Sequence, residues 1–124
     1  VAQQSANYSR ADAMNVVQNL LQSYPDVDAI ICCNDEMAMG SAEAVDAAGK
    51  IGEILIGGQD ANDDAVEAVR EGRLFASSWG NPYMQGYTSI EAAVKVLNGE
   101  EVENFYEVPT KVVTLENIDT FQDE

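Results

Sequence analysis

Residues 30–40, IICCNDEMAMG, decide how the chain is read. A short apolar run meets two cysteines, an amide and two carboxylates, and then takes on a helical pattern. Residues 27–33, VDAIICC, are apolar and flanked by polar turns, the signature of a buried strand. Asp35 and Glu36 follow where a helix start leaves backbone N–H groups free and presents its positive dipole end, so both read as carboxylates that open a helix. That helix is expected over 36–48, with Met37, Ala38, Ser41, Val45 and Ala48 on its inner stripe and Gly49 at its end. Cys32 and Cys33 fall on opposite faces of the strand and read as packing residues. A thiolate is disfavoured because the nearby ionised groups are acids.

Upstream, Ser9 or Asp12 can cap a helix carrying Met14, Val17, Leu20 and Leu21, which ends before Pro25. A remnant of strand is expected at residues 1–3. Downstream, EILIGG is a strand, and Asn62 or Asp63 starts a short helix with Ala65, Val66 and Val69 that stops at Gly72. RLFASSW is the next strand. Pro82 suits the first turn of a helix whose Met84, Tyr87, Ile90, Ala93, Val94 and Leu97 recur until Gly99. The tail holds one strand near 110–114 and an irregular acidic end. Strand alternating with helix over short connections predicts an α/β fold, a three-layer Rossmann-like lobe with a mainly parallel sheet.

The chain carries 22 acidic residues against 6 Lys or Arg, a formal charge of −16, which repels phosphate backbones and argues against a nucleic-acid partner. There is no histidine, so a Ser-His-Asp triad, a Cys-His pair and a histidine-bearing zinc site are excluded within the chain. DANDD lacks the glycine and closing glutamate of a calcium loop, and GGQD is no Walker loop. No metal or cofactor is expected. Adjacent Cys32 and Cys33 form no disulfide framework.

In a parallel α/β sheet, ligands bind where the loops leave the carboxyl ends of the strands. That edge collects Asn34, Asp35 and Glu36, then Gly58, Gln59, Asp60 and Asn62, then Trp79, Gly80 and Asn81, with Tyr8 and Arg10 beside them if residues 1–3 end a strand. Asn34 offers an amide donor and acceptor. Asp60, after a diglycine, suits paired hydroxyl groups. Tyr8 and Trp79 offer faces on which a sugar ring can stack, and Arg10 offers a fork for ligand hydroxyls or for orienting Asp60. The competing reading, a hydrolase using Asp35 and Glu36 or Asp60, is the weaker one, and the chain is expected not to be an enzyme.

ANYSRADAMNVVQNLLQSYPDVDAIICCNDEMAMGSAEAVDAAGK, ILIGGQDANDDAVEAVREGRLFASS, NPYMQGYTSIEAAVKVLNGEEV and VPTKVVTLENIDTF together resemble the carboxyl-terminal part of bacterial sugar receptors of the ribose-binding type, within the type I periplasmic-binding-protein family. The resemblance implies two lobes that close on a sugar, serving an ABC importer and its membrane permease. It implies a monosaccharide or polyol ligand, contacted by Asn34, Asp60, Tyr8 and Arg10, with Trp79 a candidate from its place on the edge alone, and an extracytoplasmic location, in the periplasm or lipid-anchored outside the cell. Gly80 stands where ribose-binding members carry a glutamine, which argues against ribose itself.

The resemblance also implies an incomplete fold. Residues 1–80 would be part of the carboxyl-terminal lobe, 81–108 a crossover and helix belonging to the other lobe, and 109–124 a return strand and tail. The stripe over 83–97 would then be exposed unless covered by a homodimer or segment swap. The alternative is the ligand-sensing domain of a LacI-type transcription regulator, which shares the fold. The closing segment and the short connection AAGKIGEILIGG resemble the transport branch more.

Overall fold

Four helices begin by one device, a short polar side chain that accepts a hydrogen bond from a backbone N–H three residues on. Ser9 caps α1 (Arg10–Ser23), Asn34 caps α2 (Asp35–Ala47), Asn62 caps α3 (Asp63–Arg70) and Asn81 caps α4 (Pro82–Leu97). Between them run β1 (Ala29–Ile31), β2 (Leu55–Gln59), β3 (Ala76–Trp79) and, last, β4 (Lys111–Val113). These assignments come from a computed structural model that describes residues 1–122.

The sheet has the order β1-β2-β3-β4. β1 pairs with β2 in parallel, Ile30 opposite Ile56, and β2 pairs with β3 in parallel, Gly58 opposite Ser77. The carboxyl ends of the first three strands therefore share one edge. Contacts divide the residues into two units, 1–79 with the segment from Val112 onward, and 80–111. In the first unit, α1 packs on α2, α2 on β2 and α3 on β3. Val45, Ile56, Val69 and Val113 are its largest fully buried apolar side chains.

Residues 1–3 form no strand; they are exposed. β1 finds its partner in β2 alone among the described residues, and one face of this pair is open at Ile31 and Leu55. The layers are thus incompletely filled. β1 ends at Ile31, before the cysteines, so Cys33 is exposed rather than packed. Cys32 is half-buried, its Sγ 3.3 Å from Ser41 Oγ. The acidic tail also differs from expectation: Ile118 and Phe121 are buried in the core, each apolar enough to contribute about 1.5–3 kcal/mol on burial.

In the second unit α4 has no buried residue. Tyr83, Tyr87, Ile90, Val94 and Leu97 are exposed along it, and the two tyrosine rings stack with centroids 6.4 Å apart.

Two glycines make contrasting predictions. A Cβ on Gly40 would overlap the Arg10 backbone carbonyl, because α1 and α2 approach there, whereas a Cβ on Gly86 meets nothing within 4 Å. Gly40→Ala is expected to destabilise by about 2 kcal/mol or more through overpacking against backbone. Gly86→Ala, in mid-helix, is expected to stabilise by about 0.5–1 kcal/mol. Urea unfolding of the two variants checks the opposite signs.

Candidate functional site

Asn34 ends the β1 connection in extended backbone and is itself the cap of α2: its Oδ1 accepts from Met37 N–H at 2.9 Å. Sequence reasoning gave that role to Asp35 and Glu36. One lone pair of its oxygen is engaged, and the Asn34 amide keeps its two N–H donors free among the described residues, so it can donate to a ligand.

Asp60 follows β2 in an exposed turn with φ of 115°, and Ala61 has φ of 51°. Non-glycine residues in such conformations cost roughly 1–3 kcal/mol each and persist where the surroundings hold them. Here the backbone N–H groups of Asp60, Ala61 and Asn62 donate to the Ser78 carbonyl at 2.8 Å, Ser77 Oγ at 3.0 Å and Asp35 Oδ2 at 3.0 Å. The Asp60 carboxylate makes no hydrogen bond among the described residues and is open to solvent.

Asp35 is the residue that sequence reasoning misplaced. It is buried, with relative exposure of 0 %, and its Oδ1 accepts from Ser77 Oγ at 2.6 Å. Burial pushes its carboxyl pKa up, against the Ser77 hydroxyl and the Asn62 N–H, which favour the anion, while the charge of Asp60 adds to the rise. Glu36, by contrast, is exposed and pairs with Arg10. The available signal was the polar Ser77 in the middle of the apolar run RLFASSW.

Tyr8 lies in the turn before α1, exposed, with φ of 56° beside Asn7 at 52°. Arg10 opens α1 and donates to both Glu36 oxygens at 3.1 Å and to Asp64 Oδ2 at 3.3 Å. Its charged partners are thus Glu36 and Asp64 on the first turns of α2 and α3, not Asp60 as one expectation had it. These bonds raise its pKa. They also bring Arg10 to the same edge as Glu36, even though no strand precedes it. Trp79 ends β3, half-buried, with its ring edge-on to Phe121 at 5.8 Å and 80°. The edge thus brings together amide donors, a free carboxylate, a guanidinium and an indole. Gly80 and Asn81 fall in the second unit, where Asn81 caps α4.

A separate apolar groove of about 390 Å³ runs beside β1, lined by Leu20, Leu21, Val27, Ile31, Cys32 and Cys33 among others. None of Tyr8, Arg10, Asn34, Asp60 or Trp79 lines it. Among the described residues no cluster of His, Cys, Asp or Glu is placed to hold a metal, and no helix is long and apolar enough to cross a membrane.

A parallel α/β lobe with a polar and aromatic site on its carboxyl edge is the architecture of a ligand-binding lobe. A profile described as a periplasmic binding protein domain matches residues 1–101, and the chain belongs to that family. It is 38 % identical over 114 residues to the ribose import binding protein of Bacillus subtilis, covering 92 % of this chain and 37 % of that protein. It is 40 % identical over 123 residues to a putative rhizopine-binding protein of Rhizobium meliloti, covering 98 % of this chain and 40 % of the relative. A solute binding protein of Bacillus halodurans with bound myo-inositol superposes with a TM-score of 0.87 at 36 % identity, over 99 % of this chain and 42 % of the other. The chain therefore spans about two fifths of the length of the relatives it matches.

The two thiols should differ in reactivity. Burial raises the Cys32 pKa, outweighing the Ser41 contact, while Cys33 is exposed. Cys33 is expected to be alkylated by iodoacetamide roughly tenfold or more faster than Cys32 at neutral pH, as peptide mapping would resolve.

Proposed function

We propose that the protein carrying this chain is the solute-binding component of a bacterial ABC importer, holding a monosaccharide or polyol between two lobes. The observation that carries this reading is that Asn34, Asp60 and Trp79 end their strand connections on one sheet edge, with Arg10 tied to it through Glu36. Relatives named for ribose and rhizopine, and a neighbour with bound myo-inositol, support it. Asp60 would accept from ligand hydroxyls, Asn34 would donate to one, the guanidinium of Arg10 would donate from its ion-paired position, and the aromatic rings would cover the apolar ring face. Binding and closure would be the whole mechanism, with no bond made or broken.

Residues 81–108 would belong to the other lobe, with the return strand and tail over 109–124. Support comes from the separate compact unit over 80–111 and from α4 exposing its entire apolar stripe. In the whole protein that stripe would lie in the other lobe; for the chain alone, a homodimer or segment swap through 83–97 would cover it. The partner would be a membrane permease and the location extracytoplasmic. The relatives' names favour this reading over a LacI-type sensor.

In the full-length protein, Asn34→Ala and Asp60→Ala are each expected to weaken sugar affinity by more than about 1.5 kcal/mol, because each leaves polar groups unpaired in a desolvated cleft. Titration calorimetry with D-ribose, D-allose and myo-inositol measures this. Both variants staying within twofold of the parent for the ligand it binds would refute the site. Steady hydrolysis of a glycoside, lost on Asp60→Asn, would instead make the protein an enzyme.

A further inference from the structure

Asp35 is a carboxylate with no exposed surface, and no ligand touching it is needed to account for its partners. It links three segments distant in sequence. It starts α2, accepts from Ser77 on β3, and accepts from Asn62 at the end of the β2 turn. Ser77 in turn accepts from Ala61 N–H, so the same hydroxyl that donates to Asp35 holds the middle of the turn. A second feature makes room for this arrangement: a Cβ on Gly58 would overlap Asp35 Oδ1 and crowd Ala38 Cβ at 3.1 Å.

We propose that Asp35, acting with Ser77, is a positioning residue for the ligand: it locks the left-handed Asp60–Ala61 turn so that the Asp60 carboxylate faces the cleft before a ligand arrives. This inference rests on the sugar-binding reading above and names what prepares that site. A buried acceptor with two oxygens is required. Asparagine keeps the shape but replaces one acceptor by a donor, which cannot satisfy both the Asn62 N–H and the Ser77 hydroxyl in their present roles. Freed from one of these bonds, the turn can relax toward ordinary backbone and carry Asp60 with it.

The test uses the full-length protein as parent, Asp35→Asn, Ser77→Ala and Val45→Ala. Val45 is fully buried in the core and lies outside the site, so its truncation lowers thermal stability without touching the turn. Calorimetry with D-ribose, D-allose and myo-inositol is expected to show at least tenfold weaker binding for Asp35→Asn and a smaller loss for Ser77→Ala. Val45→Ala is expected to bind within twofold of the parent, even where its melting temperature falls as far. Amide exchange read by mass spectrometry or NMR is expected to quicken at least tenfold at 60–62 in Asp35→Asn, relative to the core. Asp35→Asn binding within twofold of the parent, or Val45→Ala losing as much affinity at equal melting temperature, overturns the proposal. If the parent binds none of the sugars, the functional reading fails by itself, and exchange at 60–62 then decides the turn: unchanged rates in Asp35→Asn overturn the lock, and tenfold faster rates uphold it. Should Asp35→Asn fail to fold, Ser77→Ala decides by the same two readouts.

Discussion

The ends of β1, β2 and β3 meet at one buried carboxylate. Asp35 sits on the first turn of α2, where the free N–H groups and helix dipole favour an anion. Burial opposes its charge, and the hydroxyl of Ser77 and the amide of Asn62 offset that cost. The consequence is geometric. Two consecutive residues with positive φ, each energetically unfavourable alone, become the stable course of the chain after β2. Asp60 stands at that bend with its carboxylate unused, while the polar groups beneath it are satisfied.

The same economy of polar groups runs across the edge. Asn34 gives its oxygen to the helix cap and keeps its N–H donors, and Arg10 bridges the first turns of α2 and α3 through Glu36 and Asp64. Such half-exposed ion pairs contribute little to stability, on the order of 0–1 kcal/mol. Their effect is to hold a forked donor in place. Trp79 is held differently, by the edge of Phe121, which the tail delivers into the core. A stretch that reads as an acidic coil therefore helps place the indole at the end of β3.

The fold was largely legible because its signals are local. Apolar runs such as ILIGG and caps such as Asn62 act within a few residues, and the structure places strands and helices close to where those patterns put them. The lip of the first strand was harder. Asn34, Asp35 and Glu36 are three polar neighbours, and composition cannot say which one caps, which is buried and which faces water. Their roles were decided by groups far along the chain: Ser77, 42 positions from Asp35, and Arg10, 26 positions from Glu36. The expected strand at residues 1–3 failed for a related reason: a strand is made by its pairing, and across the groove from those residues β1 pairs only with β2 among the described ones. Asn34, Asp60 and Trp79 were singled out by a topological rule that needs only the order of strands, whereas Tyr8 and Arg10 depended on a strand at 1–3 that does not form, and Arg10 reaches the edge through Glu36 instead. What the rule cannot supply is the device that holds them.

The most direct test is a crystal structure of the full-length protein with the sugar it binds tightest. The account predicts ring hydroxyls within hydrogen-bond distance of the Asp60 carboxylate and of the Asn34 amide nitrogen, with Asp35 still bonded to Ser77 and Asn62. A sugar seated away from this edge, or an Asp60–Ala61 turn with both residues at negative φ, would contradict it.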